Sequence, residues 1–426
     1  MRNNLISVFA LLMGTLFLFL GNGLHGLLLP MRGAFEGYET TMLGLLGTSW
    51  ASGFVLGCLL APTIVKRIGH VRAFSGFASL IAIIALLTGI LVDPFWWIAL
   101  RAVTGFSIAG TSMIIESWLN ERATNESRGL IFSLYIAITL IGTVGGQMTV
   151  ALGDVTTPIL FMFAGILYCF AMLPTTLSTA ASPQPLKQVR LDIPALVRTS
   201  PIACVGIVLI GLANGAFGTL GAVFGAQVGL PSGMIATMMS VAIFAGAVMQ
   251  LPAGRMSDRI DRRIVLASLS AIAAAGLALF VFQPANVTVL LVLTALYGAM
   301  ANALYPIAVS HANDFASPED FVKVSGGLLL LYGIGTIIGP TLGGPVMSAV
   351  SPHALFLVTS TAHILITAYA IFRSRRRAAK PAEMRDAYTT INPGTLTTPE
   401  SLQLSPRALP HPQTAGDEQQ QEGETA

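Results

Sequence analysis

Twelve apolar runs, each long enough to cross a lipid bilayer, constrain this chain more than any other feature. They fall at about 6–30, 41–65, 73–92, 95–118, 129–152, 157–178, 202–226, 233–254, 264–283, 287–310, 325–349 and 353–372. A helix needs about 20 apolar residues to cross the hydrocarbon layer, and only helices and closed barrels satisfy their backbone polar groups there. The runs are too long and too uniformly apolar for the alternating strands of a barrel. Short breaks such as Asp93-Pro94, Pro284-Ala285-Asn286 and Ser351-Pro352-His353 separate them. The expected fold is therefore an all-α membrane protein of twelve transmembrane helices. Composition agrees, because 54% of residues are apolar and 10% charged, whereas soluble domains carry roughly 25% charge. The first run, from Ile6 to Pro30, exceeds a signal-peptide core and reads as the first span.

Basic residues set the orientation, since Lys and Arg accumulate on the cytoplasmic side. With the N-terminus cytoplasmic, 21 of the 23 Lys and Arg residues fall in cytoplasmic loops or the tail. Arg32 alone lies in an opposite loop, and Arg101 is inside a span. A miscounted helix would scramble this asymmetry, so both termini are expected in the cytoplasm of a cell membrane of the bacterial inner-membrane type. Four segments follow: a six-helix bundle at 1–178, a cytoplasmic linker at 179–200, a second bundle at 201–372 and a tail at 373–426. The tail opens on Arg373-Ser374-Arg375-Arg376-Arg377, suited to anionic headgroups, and its polar remainder is expected to be disordered.

Several chemistries are excluded. Cys58, Cys169 and Cys204 lie in apolar runs without C-x-x-C spacing, and the six histidines lack a metal-ligand pattern. No G-x-x-x-x-G-K-[ST] loop exists to drive an ATP pump. Paired carboxylates or a nucleophile with its base at membrane depth are also missing, so no cofactor, metal or enzymatic activity is expected. Basic residues form no stripe, which argues against nucleic acid.

Sliding the second half back by 192 residues superimposes Asn214-Gly215 on Asn22-Gly23, Gly218 on Gly26, Gly229 on Gly37 and Arg259-Ile260 on Arg67-Ile68. At 193, Gly298 falls on Gly105, Ser310 on Ser117, Asn313 on Asn120, and Gly335-Thr336 and Gly339 on Gly142-Thr143 and Gly146. A nearly constant offset is the mark of a duplicated unit. Six spans per unit is even, so the copies share one orientation, a parallel repeat about an axis normal to the membrane.

The loop Gly254-Arg255-Met256-Ser257-Asp258-Arg259-Ile260-Asp261-Arg262-Arg263 resembles the G-x-x-x-D-R-x-G-R-R signature of the major facilitator superfamily. Lys66-Arg67-Ile68-Gly69-His70-Val71-Arg72 is similar to a degenerate copy of it, and Arg101-Ala102-Val103-Thr104-Gly105 resembles the superfamily's R-x-x-[QT]-G string in the fourth span. Glu116-Ser117-Trp118-Leu119-Asn120 and Arg128-Gly129 are similar to the YcaD-like branch. The resemblance covers about residues 1 to 375. It implies two six-helix bundles, secondary transport by alternating access, and a part for Arg101 in proton or substrate coupling.

A guanidinium inside a span costs at least ~2.5 kcal/mol, so Arg101 is expected to face protein or water. Thr104, Ile108 and Thr111 share its helical face, while snorkelling to the outer surface is the plainer alternative. Glu116 is either a carboxylate that loads and releases a proton or the partner of Arg67, Arg72 or Arg128 in an ion pair closing the cytoplasmic side. Lys66 occupies the position where the family pattern has Asp, so a latch is expected on one side only. It would join Asp258 to Arg128 in the outward-facing state, with Arg67, Gly69, Arg72, Arg259 and Arg262 completing the gate. Asn22 and Asn214 occupy equivalent places in spans one and seven and border the expected cavity, unless they only bond between helices. His25, Thr104, Gln147, Tyr297, Asn302 and Tyr305 are further cavity candidates. Gly335-Thr336-Ile337-Ile338-Gly339-Pro340-Thr341-Leu342-Gly343-Gly344 is similar to an antiporter signature but lies in span eleven instead of five, and reads as close helix packing.

These observations lead to the expectation of a monomeric secondary transporter whose partners are a small solute, protons and the lipid bilayer. One arginine and few carboxylates favour a neutral or anionic solute. Export is placed ahead of import of a sugar or organic acid, and a non-transporting membrane sensor or scaffold is the second class.

Overall fold

The structure, a computed structural model, describes residues 2–124, 127–176, 193–284, 286–317, 320–376, 388 and 398–404. Among these residues every regular element is helical: α1 (Arg2–Phe35), α2 (Thr40–Ile68), α3 (His70–Ile90), α4 (Pro94–Arg122), α5 (Arg128–Met148), α6 (Ile159–Thr176), α7 (Ile193–Thr199), α8 (Pro201–Gln227), α9 (Ser232–Arg259), α10 (Arg262–Ala274), α11 (Leu277–Phe282), α12 (Val287–Asn313), α13 (Phe321–Ala349) and α14 (Ala354–Arg376). Short 3-10 turns cover Thr149–Leu152 and Pro399–Leu404. Eleven helical stretches are long and apolar enough to cross a membrane, with α10 and α11 together forming one of them; Ile159–Pro174 is a shorter apolar helix.

Local chemistry sets the helix ends. Asp93 caps α4, its Oδ1 accepting from the Phe95 and Trp96 N–H groups at 3.0 and 3.1 Å, with Pro94 opening the first turn. Asp93→Ala is expected to cost about 1 kcal/mol, read as a lower thermal midpoint with unchanged helix content. Asn286 caps α12 in the same way. The turns after α1 and α8 place Gly37 and Gly229 at φ +76° and +79°, a region only glycine enters without strain. These are the residues the 192-residue offset pairs.

The two halves repeat each other's packing. α2 lies on α4, α1 on α5 and α6, and α3 on α4 and α6; α9 lies on α12, α8 on α13 and α14, and α10 on α12 and α14. The repeat extends to individual backbone crossings. A methyl group added to Gly146 would overlap the Leu20 carbonyl, and one added to Gly339 would overlap that of Leu212. Gly105 similarly meets the Trp50 carbonyl and Gly298 that of Ala242. Small residues thus allow α5 on α1, α13 on α8 and both inner pairs to approach closely. The Gly335–Gly344 string is accordingly a packing surface.

Between the halves, α2 meets α13 and α8, α5 meets α9, and α1 meets α8. Large apolar side chains, among them Ile83 and Ile90 on α3, Phe163 and Phe170 on α6 and Leu365 and Phe372 on α14, cover the outside. So much exposed apolar surface suits lipid contact.

Four local readings are refined or corrected. The ninth apolar run is not one continuous helix but breaks at Ala275-Gly276 between α10 and α11. The linker ends in a helix, α7, whereas 177–192 lie outside the described residues. α14 continues past 372 to Arg376. Part of the expected disordered tail is built into the bundle, because Leu402 is 1% exposed and packs in the second half's core. Apolar contact overrides the polar composition of its neighbours there.

Candidate functional site

A cavity of about 780 Å3 lies between the two halves, lined by α1, α2, α4 and α5 on one side and α8, α9, α12 and α13 on the other. Its end away from the start of α1 and the end of α14 is closed; the other end is the terminal face. There Gln227 Nε2 donates to Thr40 Oγ1 at 2.7 Å, the Thr48 and Thr341 hydroxyls lie 2.8 Å apart, and Gly44 sits against the Pro340 carbonyl. Toward the terminal face the cavity continues past Cys58, Leu59 and Pro62 on α2 and Val322, Gly326 and Leu329 on α13. Pro399 and Glu400 of the tail line it at that end.

Arg101 projects into this cavity from α4. It is 8% exposed, its Cζ lies 5.9 Å from the centroid of Trp50, and its Nε and Nη1 have no hydrogen-bond partner among the described residues. Burial weakens solvation of the guanidinium, while the ring face returns only part of it. An incoming solute with acceptor atoms would find donors already oriented.

Around Arg101 the expected residues divide. Asn22, Gln147, Asn214, Tyr297 and Asn302 line the cavity. Asn214 Nδ2 donates to the Tyr332 hydroxyl at 3.4 Å, Gln147 Oε1 accepts from Ser240 Oγ across the halves at 3.1 Å, and Asn302 Nδ2 donates to the Gly298 carbonyl at 2.9 Å. Tyr297 packs on Phe217, ring centroids 5.0 Å apart. Three candidates lie elsewhere. Thr104 is fully buried and donates to the Leu100 carbonyl of its own helix, so sharing Arg101's face does not bring its short side chain to the cavity. His25 is buried edge-on to Phe161, and Tyr305 is buried against Tyr332. Trp50, Tyr332 and Cys58 were not anticipated as lining residues; aromatic and thiol side chains in an apolar run give no sign of which face turns inward.

Glu116 is fully buried near the end of α4. Among the described residues no arginine pairs with it, which corrects the expected ion pair with Arg67, Arg72 or Arg128. Its carboxylate accepts from Tyr135 Oη at 2.7 Å, from the Thr398 N–H at 3.1 Å, from the Ser401 N–H at 3.1 Å and from Thr398 Oγ1. Neutral donors from a distant segment take the place of a cation, while Arg67 and Arg72 are exposed to solvent. Glu400 beside it is pushed up to about 7 by burial, so a proton there exchanges near neutral pH.

The gate residues occupy the terminal face. Gly69 takes φ +84° between α2 and α3, and Arg259 is exposed. Arg128 is buried at the start of α5. Asp258 is not joined to it: Arg262 Nη2 lies 3.6 Å from Asp258 Oδ1, which also accepts from the Tyr388 N–H at 3.0 Å. Arg262 Nε lies 2.9 Å from Asp314 Oδ2. The latch is expected in the outward-facing state, whereas the halves here meet at the opposite end, and Asp258 contacts the second half and the tail.

Known proteins agree with this architecture. The Major Facilitator Superfamily model matches residues 203–409. The "Uncharacterized MFS-type transporter YcaD" of Escherichia fergusonii is 26% identical over 378 residues, covering 88% of this chain and 97% of that protein. The protein of the same name from Shigella flexneri is 26% identical over 358 residues, covering 83% and 92%. The crystal structure of the nucleoside transporter NupG has a TM-score of 0.73 at 16% identity, covering 87% of this chain and 99% of NupG. A bacterial homolog of the human lysosomal transporter Spinster, in an inward-facing and occupied conformation, has a TM-score of 0.70 at 16% identity, covering 89% and 97%. The second half of the chain is thus similar to the Major Facilitator Superfamily model, most of its length is similar to the YcaD-named transporters, and its fold is that of the solved transporters.

Proposed function

We propose that this chain is a proton-coupled secondary transporter that moves a small neutral or anionic solute by alternating access between two rigid bundles, 1–178 and 201–372. The observation that carries this reading is the cavity between the halves with the buried, incompletely bonded Arg101 guanidinium inside it. Two packed halves touching at one end and separated at the other provide the discrete arrangements that alternating access needs. Arg101 and Glu116 are the coupling residues in this scheme. Asn22 and Asn214, related by the repeat, supply amides from both bundles to one solute, with Gln147, Tyr297 and Asn302 beside them.

The basic-residue asymmetry supports twelve spans with both termini cytoplasmic, in a cell membrane of the bacterial inner-membrane type. The cavity then faces the cytoplasm, as in the inward-facing Spinster homolog. A monomer suffices, because the cavity is built from one chain. The nucleoside carried by NupG is not transferred to this chain, since 16% identity carries the fold alone. Cavity chemistry sets the solute class instead: one cation among amides and aromatic rings, with the Glu400 carboxyl at the end where the tail sits.

Purified protein in liposomes with an imposed pH gradient is expected to move labelled neutral or carboxylate solutes, with the flux lost when a protonophore collapses the gradient. Absence of flux for every solute by folded protein, or preferred movement of an organic cation, would overturn the proposal.

A further inference from the structure

Thr398–Leu404 fills the gap between the halves at the terminal face. The 3-10 turn packs against α4 and α5 of the first half and α13 of the second. Thr398 is fully buried, Ser401 is 2% exposed and Leu402 1% exposed. A buried carboxylate needs donors to stay ionised, and this segment brings three to Glu116: two backbone N–H groups and the Thr398 hydroxyl. Ser401 Oγ donates to the Thr398 carbonyl at 2.8 Å and closes the turn that aims both N–H groups at one oxygen pair. A second contact lies upstream, where Tyr388 bonds Asp258 and its ring covers Gly254 so closely that an added methyl would overlap it. The 21 residues between Arg376 and Thr398 can reach about 70 Å when extended, so the connection is not limiting.

We propose that the chain's own C-terminal tail is a docked plug: Thr398–Leu404 binds Glu116 and Tyr388 binds Asp258, holding the terminal face open between the halves and blocking solute passage until the tail leaves. The docking stands on the contacts alone; the block to transport rests on the alternating-access reading. The geometry makes the two incompatible, because α4 and α5 cannot close on α13 while the turn lies between them. The same two carboxylates that the loop and fourth-span motifs single out are occupied by the tail, so gate and coupling site are held together.

Cys58 reports on the plug, since it lines the same cavity as Pro399 and Glu400. With Cys169→Ser and Cys204→Ser as background, the alkylation rate of Cys58 by a bulky charged maleimide is measured on detergent-purified full chain. Two variants are compared with it: deletion of residues 385–426, and Leu402→Glu, which expels the turn while leaving Glu116 untouched. Reactivity scales with the plug-free fraction, so both variants are expected to react about tenfold faster. A synthetic peptide of residues 385–410 should restore protection to the deletion protein. Unchanged rates in both variants, with monodisperse protein by size exclusion, would overturn the docking. In liposomes both variants should transport several-fold faster than the full chain; unchanged flux with deprotected Cys58 would overturn the block. Should no protein, full chain included, transport any solute, the transporter reading and the block fail together while the Cys58 rates still decide the docking.

Discussion

Arg101→Gln is expected to lower solute flux in proteoliposomes by about two orders of magnitude, because losing one partner of a buried charged contact costs roughly 2–5 kcal/mol of binding. The same substitution should leave the fold intact or slightly more stable. Nε and Nη1 have no hydrogen-bond partner among the described residues, so removing the guanidinium leaves no protein acceptor stranded at those atoms. The unfavourable burial of the charge is relieved at the same time. Function and stability therefore move in opposite directions, which separates a solute-facing cation from a structural one. Arg101→Lys tests the geometry: it keeps the charge but lacks the planar fork that lies over Trp50 and can meet a carboxylate with two bonds. Its flux should fall too, by about tenfold. Flux within threefold of the unmodified protein for Arg101→Gln, or a clearly lower thermal midpoint, would assign Arg101 to packing instead.

Gly339→Leu and Gly146→Leu are expected to abolish folded protein. Each places side-chain atoms where a carbonyl of the neighbouring helix already sits, Leu212 for Gly339 and Leu20 for Gly146. Backbone cannot yield as a side-chain tip can, and α13 would have to lift off α8 along the crossing. A loss above about 4 kcal/mol follows, in the exceptional range reserved for such overlaps. Gly26→Ala and Gly218→Ala are the informative contrast. Nothing lies within 4 Å of a methyl at either position, and both residues line the cavity. Alanine is the better helix former by up to about 1 kcal/mol, so these variants should fold at least as well while narrowing the cavity and altering flux. Monodispersity and thermal midpoints in detergent check all four; a Gly339→Leu protein with an unchanged midpoint would show that the crossing is looser than its glycines require.

Those glycines also mark how far the sequence could be read. The 192 to 193 offset was visible as paired letters, and the structure turns each pair into an equivalent contact: Gly37 with Gly229 in left-handed turns, Gly105 with Gly298 and Gly146 with Gly339 at helix crossings. Arg101 was legible because charge is so rare in this chain that one cation inside a span demands a reason. Asn22 and Asn214 were legible through the repeat. Thr104 was misplaced because a helical wheel gives the direction of a side chain but not its reach, and a threonine hydroxyl is satisfied by its own helix. For Glu116 the sequence offers a titrating carboxylate or an ion pair with an arginine, the commonest partner for a carboxylate. Beside Tyr135, 19 residues on, its partners lie 282 and 285 residues away in a stretch whose polar composition suggests disorder.

Hydrophobicity, turn chemistry and charge asymmetry are properties of each segment taken alone, because a span must satisfy lipid and its own backbone before it meets any neighbour. The all-helical class, the apolar spans, the internal repeat and the resemblance to the superfamily were therefore written along the chain. Partners are not local. Which face of α4 looks into a cavity, whether Asp258 binds Arg128 or the tail, and which end of the bundle is closed depend on how rigid halves sit against each other, and one sequence permits more than one such arrangement. Only the folded chain brings Thr398 to Glu116, because a buried carboxylate takes the donors that three-dimensional packing puts within hydrogen-bond distance of it, whatever their distance in sequence.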